Sequence, residues 1–390
     1  MDNTGNEKKL DTFLIFVMTA LVAISSFTLY TLQPHLPGYL SNNNFYLQQL
    51  MWFIVGTVGI ALIMILDFDR YRKLAWPVYI LGILMLAGLF VWGDTRLGAT
   101  RWYDLPIGSI QPSEFMKVFL VIALAHVITS HNEKWTHKDL KYDLILLGKI
   151  VALTLPPFAL IAMQPDLGSS LVIMSIMGFL TLISGIRWRV ILVILGIFTL
   201  IAASLAAMYL LYTEQFIDFI NEYTPFGHAI HRIQAWQDPH LYEQSSAMQV
   251  IRSMLVIGSG ELSGKGIGNF ELYIPERHTD MIFTAIAEQF GFIGSSIVII
   301  LFFLMIYRMI QIALVCRDPF GTYLAVGFVG MFSYQIFQNI GMSIQLLPLT
   351  GLPLPFLSYG GTSLLVYMAA IGLVLNIQSR KKEYMFETDD

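Results

Sequence analysis

Charge is scarce in this chain: Asp, Glu, Lys and Arg make up 13% of its 390 residues, against 56% hydrophobic. That balance lies outside the range of water-soluble domains. Cysteine is almost absent, and the single Cys316 excludes an internal disulfide. A basic excess is also missing, since the formal net charge is -4, which leaves no electrostatic footprint for nucleic acid. HExxH, CxxC and GxSxG do not occur, so the usual signatures of zinc proteases, thiol oxidoreductases and serine hydrolases are lacking. Gly258, Gly260, Gly264, Gly266 and Gly268 surround Lys265, but Gly266 follows the lysine where a phosphate loop needs Ser or Thr. No nucleotide is therefore expected, and this stretch reads as a glycine hinge.

What the chain has instead is length in apolar runs. Stretches near 12–32, 47–66, 74–93, 114–130, 144–163, 168–185, 189–212, 281–307, 322–347 and 361–377 each approach the roughly 20 residues that cross a bilayer as a helix. The expected fold is an all-α integral membrane protein of about ten transmembrane helices in one polytopic domain. Most basic residues, among them Arg70, Arg72, Lys73, Arg187, Arg189 and Arg380, fall on the side of the termini. Only Arg96, Arg101, Arg232, Arg252, Lys265 and Arg277 fall on the other. By the positive-inside rule both termini are cytoplasmic, in the plasma membrane. Residues 213–280 then form a large extracellular loop, in which Phe216–Tyr223 and Met248–Ile257 have the spacing of re-entrant or interfacial helices.

The remaining charges sit where burial is costly. Asp280 closes the long polar segment and opens the run Met281-Ile282-Phe283; a carboxylate at that position needs a partner or a water-filled cavity. Glu114 and Lys117, at i and i+3 in the first turns of a span, can pair on one helix face. A charge pair merely tolerated at the interface would look the same. Yet Arg96, Arg101, Asp166, Arg277 and Asp280 all lie at the same ends of other spans, so these charges are expected to line one outward cavity with Glu114 and Lys117. The stretch Leu352-Pro353-Leu354-Pro355 lacks donors for a spanning helix and must fold as a loop packed in protein.

Seven islands, taken together, resemble the SEDS family (shape, elongation, division and sporulation), the bacterial membrane peptidoglycan polymerases. They are Gly98-Ala99-Thr100-Arg101-Trp102, Gln111-Pro112-Ser113-Glu114-Phe115 with Lys117, Gln164-Pro165-Asp166-Leu167-Gly168, Gly264-Lys265-Gly266-Ile267-Gly268-Asn269, Pro275-Glu276-Arg277-His278-Thr279-Asp280 with Ala287-Glu288, Asn339-Ile340-Gly341-Met342, and Gly351 to Gly361. They run in family order along nearly the whole chain and are closer to the elongation branch than to the division branch. Gln289 and Arg277 depart from the common pattern, outside its core. The resemblance implies a fold related to the GT-C glycosyltransferases and polymerisation of lipid II into glycan strands at the outer membrane face, for elongation and rod shape. It also implies work within the cell-elongation machinery, beside a class B penicillin-binding protein as transpeptidase.

Such an inverting transfer needs one base and a cationic clamp, because a diphosphate leaves without being protonated. Asp280 is the expected catalytic base, with Asp166 and Glu114 as alternatives. Arg101, Trp102, Glu114, Lys117, Asp166, Arg277 and Glu288 are the expected substrate and diphosphate contacts. A divalent cation, Mg or Mn, held by carboxylates is a further expectation. The rival reading is a lipid II flippase, since a bundle with a central charge cluster also fits alternating access; a non-catalytic scaffold would leave Glu114, Lys117 and Glu288 unexplained.

Overall fold

The computed structural model describes residues 10–380 except 42, 67, 97–98, 106–107, 136–138, 225–226 and 239–245. The chain runs α1 (Thr12–Leu32), a 3-10 turn (Gln33–His35), the one-turn α2 (Gly38–Ser41), α3 (Phe45–Ile65) and α4 (Phe68–Trp92). Three short strands follow, β1 (Asp94–Arg96), β2 (Ala99–Leu105) and β3 (Gly108–Ile110). Then come α5 (Pro112–Lys134), α6 (Leu140–Met163), α7 (Leu167–Ile183) and α8 (Trp188–Leu211). The long loop folds as α9 (Thr213–Tyr223), α10 (Gly227–Gln237) and α11 (Ser246–Ser259), before α12 (Ile282–Val315), α13 (Pro319–Ser343) and α14 (Gly361–Ser379).

Among the described residues, nine helices are long and apolar enough to cross a membrane. The apolar α7 adds a tenth of 17 residues, about 26 Å of rise against a hydrocarbon core of roughly 30 Å. All ten coincide with the apolar runs of the sequence. α5, α13 and α14 are buried over most of their length, whereas α8 contributes no buried residue and stands at the periphery. Glycines set the closest approach: a Cβ on Gly361 at the start of α14 would lie 2.6 Å from the Trp52 ring on α3.

Two features depart from a plain helical bundle. The segment 94–110 folds as an antiparallel sheet in the order β1-β2-β3, with Asp94 opposite Trp102 and Tyr103 opposite Ile110. The sheet holds Arg101 and Trp102 on its middle strand, at the loop end of the bundle. The second is a break in α12 at Gly291, where φ is 62° and ψ -155°. The break frees backbone groups that must find other partners, and the glycine-rich segment supplies them. Lys265 N donates to Glu288 O at 2.8 Å and Gly266 N to Gln289 O at 3.2 Å, while Phe292 N and Ile293 N donate to Glu261 O and Leu262 O. The segment expected to be a hinge is therefore pinned to the broken helix. Gly264, at φ +82°, has no room for a side chain because Gln289 O occupies the space.

Candidate active site

A cavity of about 660 Å³ opens at the loop end of the bundle, lined by charged residues from five parts of the chain. β2 supplies Arg101 and Trp102, α5 supplies Glu114, the start of α7 supplies Asp166, α10 supplies Arg232, and the stretch before α12 supplies Glu276 and Asp280.

Asp280 is held through its backbone. Its carbonyl accepts from Asn339 Nδ2 at 2.7 Å, and the same amide donates to Leu352 O at 2.7 Å, so one α13 side chain ties the 275–280 stretch to the proline-rich loop. Ser358 Oγ donates to Thr279 O at 2.6 Å, and Tyr359 N donates to His278 O at 3.0 Å. Gly351, at φ +74°, lies beside the carboxylate: a Cβ there would sit 3.2 Å from Asp280 Oδ2. Burial in the cavity wall and the neighbouring Glu276 push the Asp280 carboxyl up to about 7, against the opposing pull of Arg232 and Arg101. A carboxylate so poised is half ionised near neutral pH and can take a proton without holding it too tightly.

Asp166 has a different occupation. It caps α7, accepting from Ser169 N at 3.2 Å, while its other oxygen accepts from Gln111 Nε2 at 3.3 Å and Ser113 Oγ at 3.4 Å. Arg101 lies 3.9 Å from it and donates to the carbonyls of Gln164 and Pro165, which fixes the β2 arginine on the turn before α7. Glu114 accepts from Lys117 Nζ at 2.7 Å, as its helical spacing allows, and its Oε2 is buried without a hydrogen-bond partner among the described residues. Lys117 is fully buried behind Glu114, 5.8 Å from the Tyr367 ring centroid.

Arg277 and Glu288 are not brought to this cavity. They pair with each other away from it; Arg277 also donates to the carbonyls of Leu272 and Thr284, and its guanidinium lies 4.5 Å from the Phe270 ring centroid. Glu288 Oε1 accepts from Glu271 N at 3.0 Å, and Lys265 Nζ is 3.8 Å away. This cluster stitches the glycine-rich segment to the first half of α12. The side chain of Arg96 lies outside the described residues. Sequence reasoning missed Arg232 and Glu276 as cavity residues; Glu276 shares the Asp280 motif, whereas Arg232 carries no signal beyond its charge.

Below the cavity, α3 and α14 continue past Trp52 and Ser363 into an apolar groove of about 460 Å³, lined by Ile54, Val55, Val58, Leu62, Leu365 and Ala369. As for a metal, no three His, Cys, Asp or Glu side chains among the described residues converge as a ligand set.

A family model of cell-cycle proteins named for FtsW, RodA and SpoVE matches residues 10–383. A relative named probable peptidoglycan glycosyltransferase FtsW, from Bacillus subtilis strain 168, is 35% identical over 86% of this chain and 82% of its own. The peptidoglycan glycosyltransferase MrdB of Escherichia coli K12 is 30% identical over 96% of this chain and 94% of its own. The crystal structure of the Thermus thermophilus rod shape determining protein RodA superposes with a TM-score of 0.67 at 28% identity, covering 96% and 98% of the two chains. A chain from a peptidoglycan synthase complex that coordinates polymerization and crosslinking superposes with a TM-score of 0.76 at 27% identity, covering 95% and 97%. This chain belongs to the FtsW/RodA/SpoVE family, the SEDS proteins.

Proposed function

We propose that this chain is a peptidoglycan glycosyltransferase that polymerises lipid II by inverting transfer, with Asp280 as the base. The observation that carries the assignment is Asp280 itself, a carboxyl in the wall of the open cavity beside Glu276, tied in place by Asn339 and sharing that cavity with Arg101, Trp102 and Arg232. In the reaction the acceptor sugar 4-hydroxyl gives its proton to Asp280 while its oxygen attacks the anomeric carbon of the donor. The bond from that carbon to the diphosphate breaks, and the polyprenyl diphosphate leaves with the electron pair. Arg101 neutralises charge that builds on the leaving group, a term that is usually among the largest in catalysis. Trp102 offers an aromatic face to a sugar ring. Glu114 and Asp166 shape and polarise the wall, and the hydrogen bonds already made by Asp166 support Asp280 as the base. The groove between α3 and α14 suits a polyprenyl chain arriving sideways from the bilayer.

A divalent cation accompanying the diphosphate would add charge neutralisation. The cavity end is assigned to the outer face of the plasma membrane, on the distribution of basic residues. A class B penicillin-binding protein is the proposed partner, since the chain carries no transpeptidase signature, and elongation is the proposed process, on the likeness to RodA and MrdB.

The test incubates the purified protein with labelled lipid II, with and without such a partner. Glycan polymer on a gel is the expected outcome. Translocation of lipid II across vesicles without polymer would establish the flippase instead.

A further inference from the structure

We propose that Arg232 is a substrate-contacting residue, a diphosphate-binding arginine that α10 delivers to the cavity as a second cation besides Arg101. The inference rests on the glycosyltransferase reading and deepens it. Joining two lipid-linked sugars brings two diphosphates into one cavity, because donor and acceptor each carry one. Among the described residues the cavity wall holds four carboxylates, Glu114, Asp166, Glu276 and Asp280, and two lining cations, Arg101 and Arg232. Lys117 is occupied with Glu114. Arg101 is committed to the Gln164 and Pro165 carbonyls and faces Asp166. Arg232 is less committed: among the described residues its guanidinium makes one hydrogen bond, from Nη1 to Thr350 O at 3.1 Å. An arginine carries five N–H donors in a planar fork that matches phosphate oxygens, so most of its donors are unspent.

The route by which Arg232 reaches the cavity is informative. The chain leaves the bundle along α8 and α9, neither of which has a buried residue, and returns through α10. One helical turn beyond Arg232, Trp236 Nε1 donates to Gln345 O at 2.9 Å, and Gln345 Nε2 donates back to Trp236 O at 3.4 Å. Two contacts on one face of α10 therefore seat it on the 345–350 stretch, which leads directly to Gly351 and the Asp280 carboxylate. A residue that only docked α10 could end at Thr350. Arg232 also lines the open cavity with Asp280, in the field of Asp280, Asp166 and Arg101.

The test compares full-length wild type with Arg232→Ala and Arg232→Lys, using Arg252→Ala as a charge control; Arg252 sits on α11 outside the cavity and donates to Tyr273 O. Polymerisation is measured against lipid II concentration and pH, and calorimetry reads the binding of inorganic pyrophosphate. Losing a charge-assisted hydrogen bond of about 1.5–3 kcal/mol corresponds to roughly 10- to 100-fold, expected as a higher KM for lipid II and weaker pyrophosphate binding. The acid limb of the pH profile should also move up in Arg232→Ala, because Arg232 and Arg101 on β2 are the cations that favour the Asp280 carboxylate against Glu276 beside it and Asp166 at the cap of α7, with Glu114 of α5 on the same cavity wall and Lys117 paired behind it. Arg232→Lys should recover part of both effects, and Arg252→Ala should change neither. Unchanged KM, pH limb and pyrophosphate binding in Arg232→Ala would overturn the proposal, as would a loss that lysine does not relieve and that follows a lowered melting temperature. If wild type makes no polymer, the glycosyltransferase reading fails separately; weaker pyrophosphate binding by Arg232→Ala then still supports the arginine site, and equal binding refutes it.

Discussion

Only His278 and Thr279 separate Arg277 from Asp280, yet the two side chains end in opposite surroundings. Arg277 turns into a closed cluster where Glu288, two carbonyls and the Phe270 ring meet it, and where the two ion-pair partners are 3% and 0% exposed. Asp280 turns into a cavity whose cations are outnumbered by its carboxylates, and its own carboxyl sits beside the acidic Glu276. Glu288 fastens the glycine-rich segment across the break in α12, and that fastening holds the stretch on which Asp280 is presented. The same motif therefore supplies a rivet and a reagent. Charge at a span end is not by itself a sign of chemistry; incomplete compensation in an open space is the better one.

The strongest way to break this comparison is Asp280→Asn. The substitution removes the proton acceptor while keeping the shape, and base catalysis is worth about 10²- to 10⁴-fold, so polymer should all but vanish in a lipid II assay. The wild-type rate should rise through a pH near 7, where the Asp280 carboxyl ionises. Stability should move the other way. The folded carboxyl is raised from 3.8 to about 7, so the stability contributed by its protonated form is full below 3.8 and lost as the pH rises through 7. Asn does not ionise, and Asp280→Asn at pH 8 should melt no lower than wild type. If Asp280→Asn stays active while a folded Asp166→Asn is dead, the two carboxylates have been assigned the wrong way round.

For the closed cluster the ranking reverses, with stability as the primary loss. Glu288→Gln or Arg277→Met alone leaves a buried charge without its partner, at a cost of about 3–5 kcal/mol. The double variant carries no stranded charge and should recover much of that loss in thermal melting in detergent. Additive single losses, with no recovery in the double variant, would show that the pair does not act as a unit.

The sequence displayed the bundle clearly because spanning helices are long, continuous apolar runs, and it displayed Asp280, Asp166, Arg101 and the Glu114–Lys117 pair because each interrupts or ends such a run. Arg277 and Glu288 were grouped with them on the same logic, and what separates them is packing across the α12 break. Gly291 marks that break, but a glycine inside an apolar run, such as Gly294 three residues on, is ordinary in membrane helices. Strand β2 had a signal in Thr100, Trp102 and Tyr103, in a stretch between Gly98 and Gly108, a strand composition between turn residues. Arg232 had none, because its position in the cavity is set by the fold-back of α9 and α10 and not by any periodicity of its own.

Lys265 offers the finest test of the comparison, since it touches the rivet from its exposed side. Its ammonium pairs with Glu271, whose side chain is 68% exposed, and lies 3.8 Å from Glu288 Oε1. Water screens the first contact, and exposed pairs contribute about 0–1 kcal/mol. The docking of the glycine-rich segment onto α12 rests on backbone bonds, including the one from Lys265 N to Glu288 O, which an alanine keeps. Lys265→Ala should therefore lower stability by at most about 1 kcal/mol and leave polymerisation close to wild type. A loss as large as that of Glu288→Gln, read in the same melting experiment, would mean that the lysine charge is part of the closed cluster and that Arg277 alone does not balance Glu288.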